Sequence, residues 1–416
     1  MLAAAGALRR FALVFAVVLE LASALQAQDN AELLQRMSAM EQRIKALEAE
    51  IQTLKGQQPA PVPVAPPAAA TPPAAPLAGQ TPVALPNYAG AAAAASKIFN
   101  PDISVIGDFL GAAGYGANRA TPSLEMHETE VGLQAIIDPY ARADVFLSFG
   151  EHGVDLEEGY LTFTTLPAGL QVKVGKMRAA FGKVNALHNH VLPWTDRPLV
   201  TQNLVAGEEG ISDAGLSLSR ILPAPKGIFL EGTAQLFRGD TEGLFVANRR
   251  REVSTVEHLR AYHDITESTN IDLGASYARG NSPFGDGANQ LYGIDATLRW
   301  KPLRRSIYHS FVGRSELIWG RTRLAPSVAR PFGYYVSGDY QFGRRWFLGG
   351  RFDRSDRLTD TRLHDTGGSI LLTYWPSEFS QIRGQLRRTR YGEKLTANEF
   401  LFQFQFSMGA HGAHPF

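Results

Sequence analysis

The chain has 416 residues, no cysteine, and 41 Lys or Arg against 40 Asp or Glu, a formal net charge of +1. Without cysteine there is no disulfide framework, no thiolate chemistry and no lipid attachment at a cysteine. Beyond the first residues no stretch of about 20 apolar residues occurs, which excludes a transmembrane helix.

Residues 1–24 read as a secretory signal peptide. Arg9-Arg10 precede an apolar run from Phe11 to Leu19, and Ala22-Ser23-Ala24 is an A-x-A cleavage site. Residues 29–56 follow a heptad. Leu33, Met37, Met40, Ile44, Leu47, Ile51 and Leu54 recur at spacings of 4 and 3. That seam predicts a periplasmic α-helical coiled coil, because nothing next to it offers a core to pack against. Residues 57–97 are dominated by Pro and Ala, which predicts an extended, semi-rigid linker.

Residues 98–416 predict an all-β transmembrane barrel of about sixteen antiparallel strands. The candidate strands lie at 103–112, 124–137, 140–150, 156–165, 170–178, 211–221, 227–238, 254–265, 270–279, 289–301, 306–320, 332–342, 345–354, 366–375, 379–391 and 398–408. Short connections at 139, 166–169, 222–226, 266–269, 302–305, 343–344 and 376–378 alternate with longer ones. The longest are 179–210 and 239–253. Outer-membrane barrels have this rhythm, with short turns on the periplasmic side and longer external loops.

The strand faces agree. Phe400, Phe402, Phe404, Phe406 and Met408 share one face of the last strand, and Leu401, Gln403, Gln405 and Ser407 share the other. The apolar row is predicted to face lipid and the mostly polar row to face a lumen. Phe416 is the final aromatic. Trp300, Trp319, Tyr334, Trp346, Trp375 and Tyr391 fall near strand ends, where interfacial girdles form.

Charge is unevenly placed. Between Arg299 and Lys394 there are 19 Lys or Arg against 8 Asp or Glu, while Glu125, Glu128, Glu130, Glu157 and Glu158 lie earlier. Parity turns Lys173, Arg299, Lys301, Arg314, Arg345, Arg351, Arg383 and Arg387 into the lumen. Lys176 and Arg178 complete the candidate anion-selectivity set. Fixed positive charge in a narrow pore concentrates anions, and arginine binds oxyanions bidentately. The alternative is that these residues pair with lumenal carboxylates and stiffen the wall.

The stretch from Phe181 to Gly210, with His188, His190, Trp194, Asp196 and Arg197, is the expected constriction loop, since sixteen strands leave a channel that something must narrow. His188-x-His190 and His411-x-x-His414 invite a metal reading, but neither pair has further ligands at obvious spacing. Both are expected to be solvated or hydrogen-bonded, with no metal and no cofactor. No G-x-S-x-G and no P-loop occurs, so no enzyme is expected. The arginines are spread at strand parity across the barrel, which does not fit nucleic-acid binding.

Three segments resemble the phosphate-selective porin O/P family: Leu156 to Phe163, Leu170 to Lys183, and Asp196-Arg197. Gly175, Lys176, Arg178, Phe181 and Gly182 match that family's G-[KQ]-[FM]-[KR]-x-x-F-[GS] stretch, and Ala180 departs from its usual proline. The resemblance covers about residues 160–200. It implies a sixteen-stranded homotrimer with a cationic lumen and a periplasmic N-terminal extension. The combined expectation is an outer-membrane porin passing small anionic, phosphate-like solutes. Its expected partners are membrane lipid, the barrel assembly machinery and, through the coiled coil, peptidoglycan. A substrate-specific receptor or metal-uptake protein, and a barrel-anchored periplasmic tether, are the alternatives.

Overall fold

A computed structural model describes residues 101–409 except 117–121 and 152. The expected signal peptide, coiled coil, linker, His411, His414 and Phe416 lie outside the described residues. Every strand pairing is antiparallel, and seventeen strands form one sheet. They are β1 (Asp102–Tyr115), β2 (Leu124–Asp138), β3 (Ala141–Gly150), β4 (Gly153–Phe163), β5 (Leu170–Arg178), β6 (Ser212–Leu222), β7 (Ile228–Phe237), β8 (Ser254–Thr266), β9 (Thr269–Asn281), β10 (Ala288–Trp300), β11 (Ser310–Arg323), β12 (Val328–Ala329), β13 (Phe332–Gly343), β14 (Trp346–Asp356), β15 (His364–Ser377), β16 (Ser380–Arg390) and β17 (Thr396–Gly409). β12 is a two-residue ribbon beside β11, and the other sixteen make the wall. Each wall strand pairs with its chain neighbours, and β17 returns to β1 through pairs such as Phe109↔Phe404. The sheet is therefore a closed barrel with no free edge, as lipid requires.

All sixteen predicted strands exist, with ends shifted by a few residues. The largest shift is at β11, which starts at Ser310 where residue 306 was expected. Residues 305–309 are held instead by turn hydrogen bonds from Tyr308 N and His309 N to Arg305 O. One loop on the long side, between β3 and β4, is as tight as the turns opposite.

Alternation sets the two faces. Ile294, Val336, Leu348, Phe352, Ile370 and Leu386 are exposed on the outside of the wall. Asp295, Ser337, Arg351, Ser369 and Gln385 are buried on the inside. A soluble sheet would reverse that order. Rings cluster toward the strand ends: Trp319 with Phe332 at one, Trp346 with Tyr374 at the other. No helix among the described residues is long and apolar enough to cross a membrane.

The apolar core lies inside the barrel. Phe181, Trp194, Val200 and Leu204 come from the long loop, residues 179–211. They pack against Leu291, Ile318, Tyr335 and Leu371 on the inner wall. Lumen-facing apolar residues in a barrel need a cover, and the loop supplies it.

Candidate functional site

The long loop folds into the lumen and is fastened to strands around the barrel. Its base is closed by Asn185, whose Nδ2 donates to Ala179 O (2.8 Å) and Ile211 O (3.1 Å) and whose Oδ1 accepts from Ile211 N. Gly210 sits at φ 65°, and a Cβ there would fall 2.2 Å from that Oδ1, so only glycine closes the loop this way. Gly182, at φ 61°, is confined less tightly, with a Cβ there 2.9 Å from Glu316 Oε2.

From the base the loop reaches first toward β7, β9 and β11. Ala180 N donates to Gln235 Oε1, Gly182 N to Ser276 Oγ, and both Lys183 N and Val184 N to Glu316 Oε1. The Lys183 ammonium lies 3.0 Å from Asp272. Arg197 holds the middle together: its guanidinium donates to Val184 O, Leu187 O and Asn189 Oδ1. Burial pushes this guanidinium pKa down to about 10, so it still carries its charge at neutral pH.

Two fastenings of opposite sign follow. On the β2–β4 wall His188 Nδ1 lies 2.5 Å from Glu130 Oε2 and 3.1 Å from Glu157 Oε2, and its Nε2 lies 2.9 Å from Glu158 Oε2. His190 Nδ1 lies 3.2 Å from Glu128 Oε1. Burial alone would lower both imidazole pKa values. The surrounding carboxylates outweigh it, raising His188 to about 11 and His190 above its ordinary value. Glu157 and Glu158 both reach inward because β4 carries a bulge where Glu157 has no partner on β3.

On the β14–β16 wall the loop presents a carboxylate. Asp196 Oδ2 accepts from Arg351 Nη2 (2.8 Å) and Arg387 Nη1 (2.9 Å), and Oδ1 accepts from Gln385 Nε2. Burial would raise this carboxyl, but the two guanidinium groups hold it at about 2. Arg383 donates to Leu192 O and Gln403 Oε1. Trp194 packs edge-on against Tyr335 and lies under the Arg351 guanidinium, 4.9 Å from ring centre to Cζ. The short helix α1 (Leu199–Leu204) then packs against β11, β13, β14 and β15. Leu199 N is tied to Asp353 and Asn203 to Asp365.

The predicted cationic set therefore divides. Arg351, Arg383 and Arg387 are inside the barrel but are spent on holding the loop. Arg178, the last residue of β5, is buried beneath the loop on Glu157 and Glu209 O. Lys173 lies over the Tyr160 ring. Arg299 and Arg314 face the lumen from the wall.

Three placements need correction. Lys176 shares the outward parity of Val174 and pairs with Asp155 at the exposed rim. Lys301 follows the end of β10, and Arg345 lies between β13 and β14. Both are in short connections, because the strands stop one residue earlier than predicted at Trp300 and begin one later at Trp346.

In the lumen, cations stand above anions. Arg142 is 48% exposed over Asp144 at 6%, Arg299 is 41% exposed over Asp272 at 0%, and Arg314 is 27% exposed over Asp339 at 18%. Arg260, donating to the same Asp272, repeats the pattern.

No known protein family profile matches the chain. An uncharacterised protein of Aquifex aeolicus is 29% identical over 388 residues, covering 77% of this chain and 81% of its own. Among solved structures, OprB of Pseudomonas putida superposes with TM-score 0.53 at 10% identity, over 74% of this chain and 94% of that one. OmpT, an outer membrane protein of Vibrio cholerae, gives 0.50 at 9% identity, over 75% and 100%. The outer membrane channel DcaP of Acinetobacter baumannii gives 0.50 at 11% identity, over 74% and 96%. The fold is that of the outer-membrane porins.

Proposed function

We propose that the protein is a passive channel of the bacterial outer membrane. It admits small hydrophilic solutes with a bias toward phosphate-like oxyanions. The observation that carries the bias is the layering of Arg142, Arg260, Arg299 and Arg314 over less exposed carboxylates. A solute in the lumen meets the guanidinium groups first. Paired charge leaves a small net field, so the bias is weak, and a bidentate oxyanion gains more than chloride.

The loop of residues 179–211 is the constriction, built on Phe181, His188, His190, Trp194, Asp196 and Arg197. The short turns face the periplasm, together with the N-terminus and its coiled coil. Three copies assemble as a homotrimer, and the coiled coil reinforces that contact or reaches peptidoglycan.

The test is the reversal potential of the purified protein in a planar bilayer across a KCl gradient, repeated with phosphate added. Stepwise conductance with an anion-selective potential, reduced by phosphate, supports the reading. Cation selectivity would overturn the bias. Absence of conductance would overturn the channel and favour a tether or a plugged receptor.

A further inference from the structure

The fastening on the β2–β4 wall has a composition unlike the rest of the lumen. Two histidines from one loop and a glutamate from β2 bring three ligand-type atoms within 4.8 Å of one another, with Glu130 Oε2 2.5 Å from His188 Nδ1 and 3.6 Å from His190 Nδ1. All three residues are buried. We infer that Glu130, His188 and His190 form a structural divalent-metal site, of the nitrogen and oxygen donor type that suits Zn²⁺, locking this end of the loop to the wall.

The geometry supports this in three ways. First, a tetrahedral ion with bonds near 2.1 Å needs donor atoms about 3.4 Å apart. Glu130 Oε2 lies 3.6 Å from His190 Nδ1, close to that spacing, and Glu157 Oε2 lies 3.1 Å from His188 Nδ1. The 2.5 Å contact between Glu130 and His188 must open, and it joins two side chains with rotatable ends.

Second, the outer contacts are those a ligating histidine requires. His188 Nε2 lies 2.9 Å from Glu158, which fixes Nδ1 as the free donor once a proton leaves it. Third, the surroundings are acidic, as a bound cation requires. Glu128, Glu130, Glu157 and Glu158 surround the pair, with Arg178 bonded to Glu157.

The two histidines stand two residues apart in the chain, but Glu130 is 58 residues from His188. Nothing in the pore reading depends on the ion, and nothing in the ion's site depends on anion selectivity.

The experiment uses the full-length protein in detergent, treated with chelator and then titrated with Zn²⁺ by calorimetry. The expected result is one saturable site per chain. Affinity should fall at least tenfold in Glu130→Gln and more in His188→Asn/His190→Asn, and Zn²⁺ should raise the temperature at which the wild-type barrel unfolds, read on gels of samples preheated to a series of temperatures. A His411→Asn/His414→Asn variant should bind as wild type does.

Folding of each variant is read from the same gels. If the histidine pair proves necessary for folding, Glu130→Gln alone decides. Weak, unsaturable binding would overturn the inference. So would binding unchanged by Glu130→Gln, or binding lost with His411 and His414. Channel conductance measured in the same samples separates this outcome from failure of the pore reading.

Discussion

The two walls that grip the long loop solve one problem with opposite charges. On β2–β4 the wall is acidic, and the loop brings His188 and His190 to Glu128, Glu130, Glu157 and Glu158. On β14–β16 the wall is basic, and the loop brings Asp196 to Arg351 and Arg387. The loop is thus a charge-complementary strap. Placed in the reverse direction, it would set like charges together on both sides. The positive charge concentrated in the second half of the chain is therefore largely structural where it is most deeply buried. It is available to solute only where the arginines stay wet.

The largest expected effect comes from Trp194→Ala. Trp194 is buried and adjoins both Tyr335 and Arg351, so truncation should cost about 3–5 kcal/mol of loop docking. Limited trypsin digestion of the folded barrel should then cut after Lys183, the one trypsin site in residues 179–211 since Arg197 precedes Pro198, and wild type should resist that cut. Unchanged protection would mean that the ion pairs alone hold the strap.

Acid should separate the walls next. Asp196 has a folded pKa of about 2 against an ordinary 3.8. A depressed carboxyl stabilises fully above its unfolded value and loses that contribution as pH falls through the folded one. The contribution is about 2 kcal/mol. Arg351 and Arg387 face it, and Asp353 and Glu399 share those guanidinium groups. Between pH 3.8 and 2 the basic-wall fastening should weaken, read as rising loop proteolysis by pepsin. Asp196→Asn should abolish that step in the window.

The smallest stability effect belongs to the wet arginines. Arg299→Ala and Arg142→Ala each remove a partly exposed partner, worth about 1 kcal/mol or less. The same changes should shift the reversal potential toward cations. A shift of equal size in Arg383→Ala would blur the distinction between wet and structural arginines.

Much of this was legible from the chain, because alternation and turn rhythm are local. The last strand reads directly: Phe404 and Phe406 are exposed outward, while Gln403 and Gln405 are buried inward. The site was legible only in its residue types. His188, Trp194 and Asp196 stand out in the loop, but their partners are set by barrel closure. Asp196 meets residues 155 and 191 positions away. Gln385 and Asp353 carry no signal beyond inward parity. Parity itself fails where the backbone departs from regular pleating. The bulge turns both Glu157 and Glu158 inward. Strand ends place Lys301 and Arg345 in turns and curl Arg178 under the loop.

The central claim is that a channel exists and that the strap narrows it. The most direct test is single-channel conductance of the wild type beside Asp196→Ala, which takes from Arg351 and Arg387 their shared loop partner and leaves each its wall carboxylate, Asp353 or Glu399. The account predicts a small, steady wild-type conductance and a larger, noisier one in the variant. Equal conductance, with both barrels folded, would contradict it.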